Sequence, residues 1–168
     1  GISSKLIFSI EYIFMKKIKI FILTYKRSDV LNELLENIFT SDFKNIENTE
    51  VNIINNHSNF HMDKKYEGKV NVYHNMCRPD WSGGNQGENW NQAIILGFKN
   101  LSNPDTELLV TLQNDCVLHK EWCSHLLKMH KKYDFIVGEF GDNIVSYRAN
   151  AIKNIGIWDE RFCGGGHR

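Results

Sequence analysis

A short apolar run that ends in two amides and a carboxylate is the first place in this chain where chemistry is possible. The run covers residues 108–112, and Gln113, Asn114 and Asp115 follow it directly. Its length and its polar flanks predict a strand that is buried on both faces. Open α/β sheets bind ligands at the carboxyl ends of such strands, where a carboxylate can hold a divalent cation against a diphosphate. The alternative is that Asp115 only caps the following helix.

Two other predicted strands also end in polar side chains. Residues 18–25 are rich in β-branched and aromatic side chains and predict a buried strand that ends at Tyr25. Residues 51–54 predict a second strand, which runs into Asn55 and Asn56. Right-handed crossovers in a parallel sheet bring such tips to one edge, where a ring, amides and a carboxylate would suit a nucleotide diphosphate. Tyr25 as a core residue and the asparagines as turn formers remain alternatives.

The rest of the chain alternates strands and helices. Ser28 and Asp29 predict the cap of a first helix, whose apolar residues recur at helical spacing from Val30 to Ile38. Further strands are predicted at residues 70–73, 135–137 and 144–147, and further helices at residues 90–101, 122–129 and 149–155. This alternation predicts one α/β domain with a mainly parallel sheet and helices on both faces.

Composition limits the possible partners. The chain has 168 residues, with 20 Lys and Arg against 20 Asp and Glu, so no net charge attracts nucleic acid. The apolar run at residues 6–14 is interrupted by Glu11 and is far shorter than the roughly 20 residues of a membrane span. We therefore expect no nucleic-acid partner, no membrane span and a cytoplasmic location, with peripheral membrane association left open.

Two segments and the cysteines need separate interpretation. We interpret residues 1–14 as an N-terminal extension, either upstream sequence or an added segment, with a natural start at Met15, and residues 15–168 as one domain.

The four cysteines form no C-x-x-C pair, which argues against a disulfide framework. Cys116, His119, Cys123 and His125 superficially resemble a zinc cluster, but their spacing fits no common zinc pattern. Buried thiols and exposed imidazoles along one helix are the preferred interpretation.

Five motifs, taken in their order, resemble those of the GT-A glycosyltransferases, in particular the large family 2 of inverting enzymes. The matching segments are Ile-Leu-Thr-Tyr-Lys-Arg at 22–27, Ile-Ile-Asn-Asn-His-Ser at 53–58, the glycine loop and helix at 83–93, Leu-Gln-Asn-Asp at 112–115, and Ile-Gly-Ile-Trp-Asp-Glu-Arg-Phe at 155–162. The last motif is the most specific of the five. The resemblance implies the GT-A fold, which is a Rossmann-like, mainly parallel sheet.

The resemblance also implies roles for individual residues. Tyr25 would stack on a nucleotide base, Asn55 and Asn56 would read the edge of that base, and Gln113 would contact the ribose. Asp115 would bind Mg²⁺ or Mn²⁺, and Asp159 and Glu160 would border the acceptor as candidate catalytic residues. The whole implied nucleotide-sugar site consists of Thr24, Tyr25, Arg27, Asn55, Asn56, Gly83, Gly84, Asn91, Gln113 and Asn114.

The sequence departs from the family pattern at three places. Asn55 stands where the family often has an aspartate, although an amide carbonyl can accept the same bond from a base. Gln113 replaces the first acid of the D-x-D motif, so Asp115 alone would carry the metal, which Mg²⁺ tolerates when phosphates and waters complete its shell. The catalytic acid that follows the last motif in the family has no counterpart before Arg168, so we expect the general base beyond that residue.

The predicted function is transfer of a sugar from a nucleotide-diphosphate sugar, with UDP or dTDP expected, to a saccharide or glycoconjugate acceptor with inversion. A non-catalytic nucleotide-sugar-binding domain is the first alternative. A nucleotidyltransferase is the second, but the segment after the first strand contains no glycine-rich phosphate loop. A dehydrogenase would need G-x-G-x-x-G at that position, and a hydrolase would need G-x-S-x-G. Both motifs are missing from the sequence, which argues against these two classes. The donor sugar, the acceptor and the oligomeric state stay open.

Overall fold

The computed structural model describes residues 15–75, 86–139 and 141–160, which form one sheet covered by helices. The strands are β1 (Lys16–Thr24), β2 (Thr49–Asn55), β3 (Asn71–His74), β4 (Thr106–Gln113), β5 (Phe135–Gly138) and β6 (Gly141–Tyr147). The helices in these ranges are α1 (Ser28–Thr40), α2 (Gln86–Phe98), α3 (Trp122–His130) and α4 (Ala149–Ile155). Short 3-10 turns occupy Asp42–Asn45 and Lys64–Tyr66.

The sheet has the strand order β3-β2-β1-β4-β6-β5. β1 lies between β2 and β4 and is parallel to both, and β3 is parallel to β2. β6 pairs antiparallel with β4 and with β5. The connection between β5 and β6 is only a short hairpin, which can join antiparallel strands but not parallel ones. The prediction of a mainly parallel α/β sheet is therefore confirmed, with antiparallel pairing confined to one side.

Each face of the sheet is covered by helices, as the sequence predicts. On one face, Ile18, Ile20 and Ile22 of β1 belong to a buried cluster that includes apolar residues of α1 and α3. On the other face, Phe21 and Leu23 belong to a cluster with residues of α2 and α4. Alternate residues of β1 thus serve two separate cores, and on the second face Lys17 and Lys19 precede Phe21 and Leu23.

Helix α2 lies unusually close to the sheet at Gly97. A Cβ atom added at this position would lie 2.6 Å from Cδ1 of Leu109 and 3.3 Å from Cε2 of Phe21. Any larger residue would require the Leu109 side chain or the helix to shift. The last turn of α2 therefore packs directly on side chains of β1 and β4.

The start of α1 differs from the prediction. Arg27 precedes the helix in a left-handed conformation with φ of 45°, and no side chain caps the first turn. Lys26 is also left-handed, with φ of 56°. The Ser28 hydroxyl, predicted to cap the helix, instead accepts a hydrogen bond of 2.8 Å from the N–H of His61. Two consecutive strained residues therefore turn the chain sharply at the end of β1.

The membrane prediction is tested only within the described ranges, where every helix falls short of the length and apolar character that a bilayer span requires. The interpretation of residues 1–14, and any role of Gly83, Gly84, Cys77 and Cys163, concerns positions outside those ranges.

Candidate functional site

The tips of β1, β2 and β4 lie side by side at one edge of the sheet. In the strand register, Thr24 is opposite Asn55 and Leu23 is opposite Gln113. The ladder continues past the strands, because the Asn56 N–H donates to the Thr24 carbonyl at 3.1 Å and the Asn114 N–H donates to the Leu23 carbonyl at 3.1 Å. The residues at the three tips therefore share one carboxyl edge, as predicted.

A small cleft of about 90 Å³ opens at this edge, and we call it the amide cleft. Its lining consists of Leu23, Thr24, Tyr25, Asn56, Gln86, Asn89, Gln113 and Asn114. All of these side chains are uncharged, and five of the eight carry amides. The cleft can therefore select a ligand by hydrogen bonds and ring contact rather than by net charge.

Tyr25 forms one wall of the amide cleft and leaves part of its ring exposed. The ring of His57 packs edge-on against it, with centroids 5.1 Å apart and an interplanar angle of 75°. The His57 ring is itself fixed, because its Nδ1 accepts a hydrogen bond of 2.9 Å from the N–H of Asn59. His57 lies in the sequence motif at the end of β2, but its contact with Tyr25 depends on the pairing of two strands.

Asn55 is buried and uses its side chain to shape the turn after β2. Its Nδ2 donates to the His57 carbonyl at 2.8 Å, and its Oδ1 accepts from the His57 N–H at 3.2 Å. The same Nδ2 lies 3.0 Å from Nδ1 of His74, which links β2 to β3. These contacts are those of a turn former, the alternative that the sequence left open, while the contact of Asn55 with a base stays a prediction.

Asn56 belongs to a chain of amides that ties β2 to α2. Its Oδ1 accepts from Nδ2 of Asn75 at 2.9 Å. Asn75 and Gln92 exchange two side-chain hydrogen bonds, of 2.9 and 3.0 Å. One side of the amide cleft is therefore braced by residues that the sequence alone does not single out.

Gln113 and Asn89, which both line the amide cleft, each contain a buried polar atom without a partner. Nε2 of Gln113 and Oδ1 of Asn89 are fully buried and have no hydrogen-bond partner in the described part of the chain. Neighbouring atoms are better satisfied, since Nδ2 of Asn114 donates to the Thr24 hydroxyl oxygen at 3.1 Å. Buried polar atoms without partners are rare in proteins, so this pair indicates a place where a ligand group or water belongs.

Asp115 lies at the same edge as Tyr25 but outside the amide cleft. It is exposed and borders a shallow concavity of about 360 Å³ beside α1, together with Glu33, Glu36 and Asn37. Glu36 is engaged elsewhere, because its carboxylate accepts from Lys65 at 2.7 Å and from the Tyr66 hydroxyl at 2.8 Å.

The donor set at Asp115 suits only a cation that brings further ligands. Within the described ranges, no three His, Cys, Asp or Glu side chains lie close enough together to hold a metal ion. A single carboxylate can still complete a Mg²⁺ shell that is otherwise made of phosphate oxygens and waters. The residues present therefore fit a metal bound jointly with a diphosphate, and they do not fit a metal held by the protein alone.

Arg27 is exposed next to this acidic region. Its Nε and Nη2 donate to the Asp29 carboxylate at 3.0 and 3.1 Å. The hydrogen bond from Arg27 lowers the pKa of Asp29, and the Asp29 bond and charge raise the pKa of Arg27, with a smaller contribution from Asp115. Asp29 thus positions the guanidinium within electrostatic range of Asp115.

Asn91 fastens the segment that carries Asp159 and Glu160. Its Nδ2 donates to the Trp158 carbonyl at 2.8 Å and to the Glu160 carboxylate at 3.0 Å, and its Oδ1 accepts from the Trp158 N–H at 2.8 Å. Gly87 lies next to this segment, since a Cβ there would be in ordinary contact, at 3.4 Å, with the Asp159 carbonyl oxygen. Asn91 therefore positions the exposed pair Asp159 and Glu160 beside the first turn of α2.

Trp158 completes this attachment with its indole ring. The ring packs on Trp90, with centroids 4.5 Å apart, and its Nε1 donates to the Tyr147 hydroxyl at 2.7 Å. Burial raises the pKa of Tyr147, so its hydroxyl stays protonated at neutral pH. Trp158, which belongs to the sequence motif at 155–162, therefore holds the neighbouring Asp159 and Glu160 in place.

The cysteine and histidine group behaves as interpreted from the sequence, with one difference in location. Cys116 and Cys123 are buried, and burial raises the pKa of Cys116 to about 11 and that of Cys123 to about 12, which opposes the thiolate that zinc needs. His119 and His125 are exposed. The four residues do not share one helix as expected, because Cys116 and His119 precede α3.

Comparison with known proteins supports the fold. No family model and no curated protein matches the sequence. Residues 1–349 of TarS from S. aureus match 86% of this chain with a TM-score of 0.57 at 17% identity. The mannosyltransferase PcManGT from Pyrobaculum calidifontis, solved in complex with GDP-Man and Mn²⁺, matches 88% with a TM-score of 0.51 at 12% identity. The chain has the GT-A glycosyltransferase fold. It covers 50% and 48% of those two chains, so it spans about half of their length.

Four polar residues at or beside the amide cleft have no individual role in the sequence analysis. Gln86 and Asn89 are three residues apart in α2, so both fall on the helix face that borders the amide cleft. That spacing was visible in the sequence, but the prediction followed only the apolar face of this helix. Asn75 and Gln92 gave no comparable signal, because they meet only when β3 and α2 are assembled.

Proposed function

We propose that this domain binds a nucleotide-diphosphate sugar at its carboxyl edge and is part of an inverting glycosyltransferase that acts on a saccharide or glycoconjugate acceptor. One observation carries the proposal: in a GT-A sheet, the tips of three strands surround an uncharged cleft with a partly exposed tyrosine as one wall. This is the edge at which open α/β sheets bind nucleotides. We expect UDP or dTDP as the nucleotide.

The base would stack on Tyr25, and the edge-on contact with His57 would hold that ring at a constant angle. Stacking is tolerant of base identity, because every base has a π face. Asn55 and Asn56 border the same region and would read the base edge. Asn55 would do so through Oδ1, which accepts one hydrogen bond from the His57 N–H and has a second lone pair.

Asp115 would hold the divalent cation together with the diphosphate. Such a cation stabilises the negative charge of a departing diphosphate. Arg27 lies within electrostatic range of Asp115 and would add positive charge at the same place. Asp159 and Glu160 would face the acceptor, held there by Asn91.

Calorimetric titration with UDP, dTDP, GDP and CMP, each with Mn²⁺ and with EDTA, tests this proposal. In the wild type, metal and nucleotide should each raise the affinity for the other by the same factor, within about 5- to 150-fold. Asp115→Asn should remove that coupling and leave metal-free binding unchanged. Tyr25→Ala should weaken binding about 10-fold with and without metal, because it removes base stacking.

Asp134→Asn is the matched control, since Asp134 is also exposed but follows α3, away from the candidate site. Its titrations should equal those of the wild type. Binding of none of the four nucleotides would overturn the proposal. A transfer assay with saccharide acceptors then separates an enzyme from a domain that only binds the donor.

A further inference from the structure

The unpartnered atoms in the amide cleft form a matched pair. Nε2 of Gln113 is a hydrogen-bond donor, and Oδ1 of Asn89 is an acceptor. Both residues line the same cleft, and Asn89 is only 4% exposed. Although the two atoms are chemically complementary, they do not bond to each other. A single group that bonds to both atoms would satisfy the pair.

The chemistry of the pair restricts what that group can be. It must accept a bond from Gln113 and donate one to Asn89. A hydroxyl can do both with a single oxygen. An ionised phosphate oxygen can only accept, so it would leave the Asn89 oxygen unsatisfied and repelled.

We propose that Asn89 and Gln113 together read a hydroxyl group of the bound nucleotide sugar, either on the ribose or on the transferred sugar. This inference rests on the proposed function, and it goes further by naming Asn89 as a specificity-determining residue and by excluding the diphosphate from the amide cleft. The exclusion fits the position of Asp115, which lies outside that cleft, beside α1.

The fold keeps Asn89 in place without using its oxygen. Asn89 lies one turn into α2, whose neighbouring residues Trp90 and Ala93 belong to the buried cluster on that face of the sheet. Two residues later, Asn91 uses both ends of its amide within the fold. An acceptor buried in a rigid helix and left unpartnered lowers stability, so it is expected where a ligand supplies the missing bond.

Titrations with paired probes test the proposal. UDP, GDP, their 2′-deoxy and 3′-deoxy forms, UDP-glucose and GDP-mannose are titrated into wild type, Asn89→Ala, Asn89→Leu and Gln113→Met. If the hydroxyl belongs to the ribose, one deoxy form should bind wild type about 2- to 10-fold more weakly than its ribose parent, and this difference should disappear in all three variants. If it belongs to the sugar, the variants should weaken only the nucleotide sugars, by a similar factor.

Ligand-free thermal unfolding provides a readout that separates this role from a structural one. Asn89→Leu replaces an unsatisfied acceptor by an apolar group of similar size, so its Tm should equal or exceed that of the wild type. Asn89→Ala covers the case in which leucine does not fit. Asn154→Ala, at an exposed position of α4, is the control and should change no titration.

Two results would overturn the inference while leaving the proposed function intact. One is an equal loss of affinity for all probes in the Asn89 variants. The other is a deoxy or sugar preference that persists in those variants. Failure of every probe to bind the wild type would instead overturn the proposed function itself.

Discussion

The amino and carboxyl ends of the central strands are built from different chemistry. At the amino end, Lys19 is only 1% exposed, and its Nζ lies 2.6 Å from Oδ2 of Asp105. Lys99 approaches the same oxygen at 3.1 Å, and Lys17 pairs with Glu107 at 2.9 Å. At the carboxyl end, buried and partly buried amides line a cleft, and two of their polar atoms have no partner in the described residues.

The difference separates a stabilising end from the end that we propose binds a ligand. Charges at the amino end are compensated within the fold, so that end offers little to a ligand. At the carboxyl end, polar atoms remain unsatisfied and two residues are left-handed, both of which lower stability. Proteins retain such features where function requires them.

The largest effect on stability is expected at the amino end. Asp105→Ala leaves Lys19 buried, with Glu50 at 4.0 Å as its remaining ion-pair partner among the described residues. Because the Lys19 side chain is only 2% exposed, removal of its partly exposed partner should lower the free energy of unfolding by about 3 kcal/mol in urea denaturation. Lys19→Met is the contrast and should cost about 1 kcal/mol or less, because it removes the buried charge and leaves Asp105 with Lys99. A larger loss in Lys19→Met than in Asp105→Ala would contradict this account.

A smaller loss is expected when the segment beside the amide cleft is released. Asn91→Ala removes three hydrogen bonds to Trp158 and Glu160, and should lower the free energy of unfolding by about 2 kcal/mol. Hydrogen exchange at the Trp158 amide should accelerate more than exchange in β1. Asn89→Ala is the matched control on the same helix, equally buried but expected to leave exchange at Trp158 unchanged.

Acid should weaken the ion pairs at the amino end. Burial alone would raise the pKa of Asp105, but the bonds from Lys19 and Lys99 outweigh it and hold that pKa below its ordinary value. A carboxylate of this kind stabilises the fold above its unfolded pKa of about 3.9, and that contribution is lost as pH falls through the lower, folded value. Stability should therefore decline below about pH 4, with a shallower slope in Asp105→Asn. Identical slopes would remove Asp105 from the explanation.

The arrangement of strands and helices was predictable because it depends on local periodicity. The β-branched and aromatic run of β1 and the helical spacing of α1 involve only neighbouring residues. The shared edge of the strand tips followed from the rule for right-handed crossovers in parallel sheets. The ion pair of Lys19 and Asp105 was not predictable, since its members lie 86 positions apart. The prediction that Ser28 caps α1 was wrong for a related reason. The left-handed turn at Arg27 and the hydrogen bond from His61 to Ser28 depend on a distant segment.

The same limit applies to the candidate site. The motifs led to Tyr25, Gln113, Asn91 and Asp115, whose positions along the chain were informative. The motifs could not show that the Asn91 side chain uses its hydrogen bonds to hold Trp158, or that Asp115 lies outside the amide cleft. Asn89 became visible only as an unpartnered atom, which is a property of three-dimensional packing.

The smallest effect on stability is expected at the exposed ion pair of the carboxyl end. Arg27→Gln removes a bidentate contact with Asp29, but exposed pairs of this kind stabilise a fold very little. The Tm should not change measurably, whereas the affinity for UDP should fall and its dependence on salt should weaken. A clear drop in Tm would show that this pair supports the fold as the buried pair does.

The stacked indoles of Trp90 and Trp158 give the molecule an optical signal of its own. Near-ultraviolet circular dichroism arises from aromatic rings held in fixed surroundings, and it vanishes when tertiary packing is lost. These two rings join α2 to the segment that presents Asp159 and Glu160. Their spectrum therefore distinguishes, without any label, a protein in which this segment is docked on α2 from one in which it has detached while the sheet remains folded.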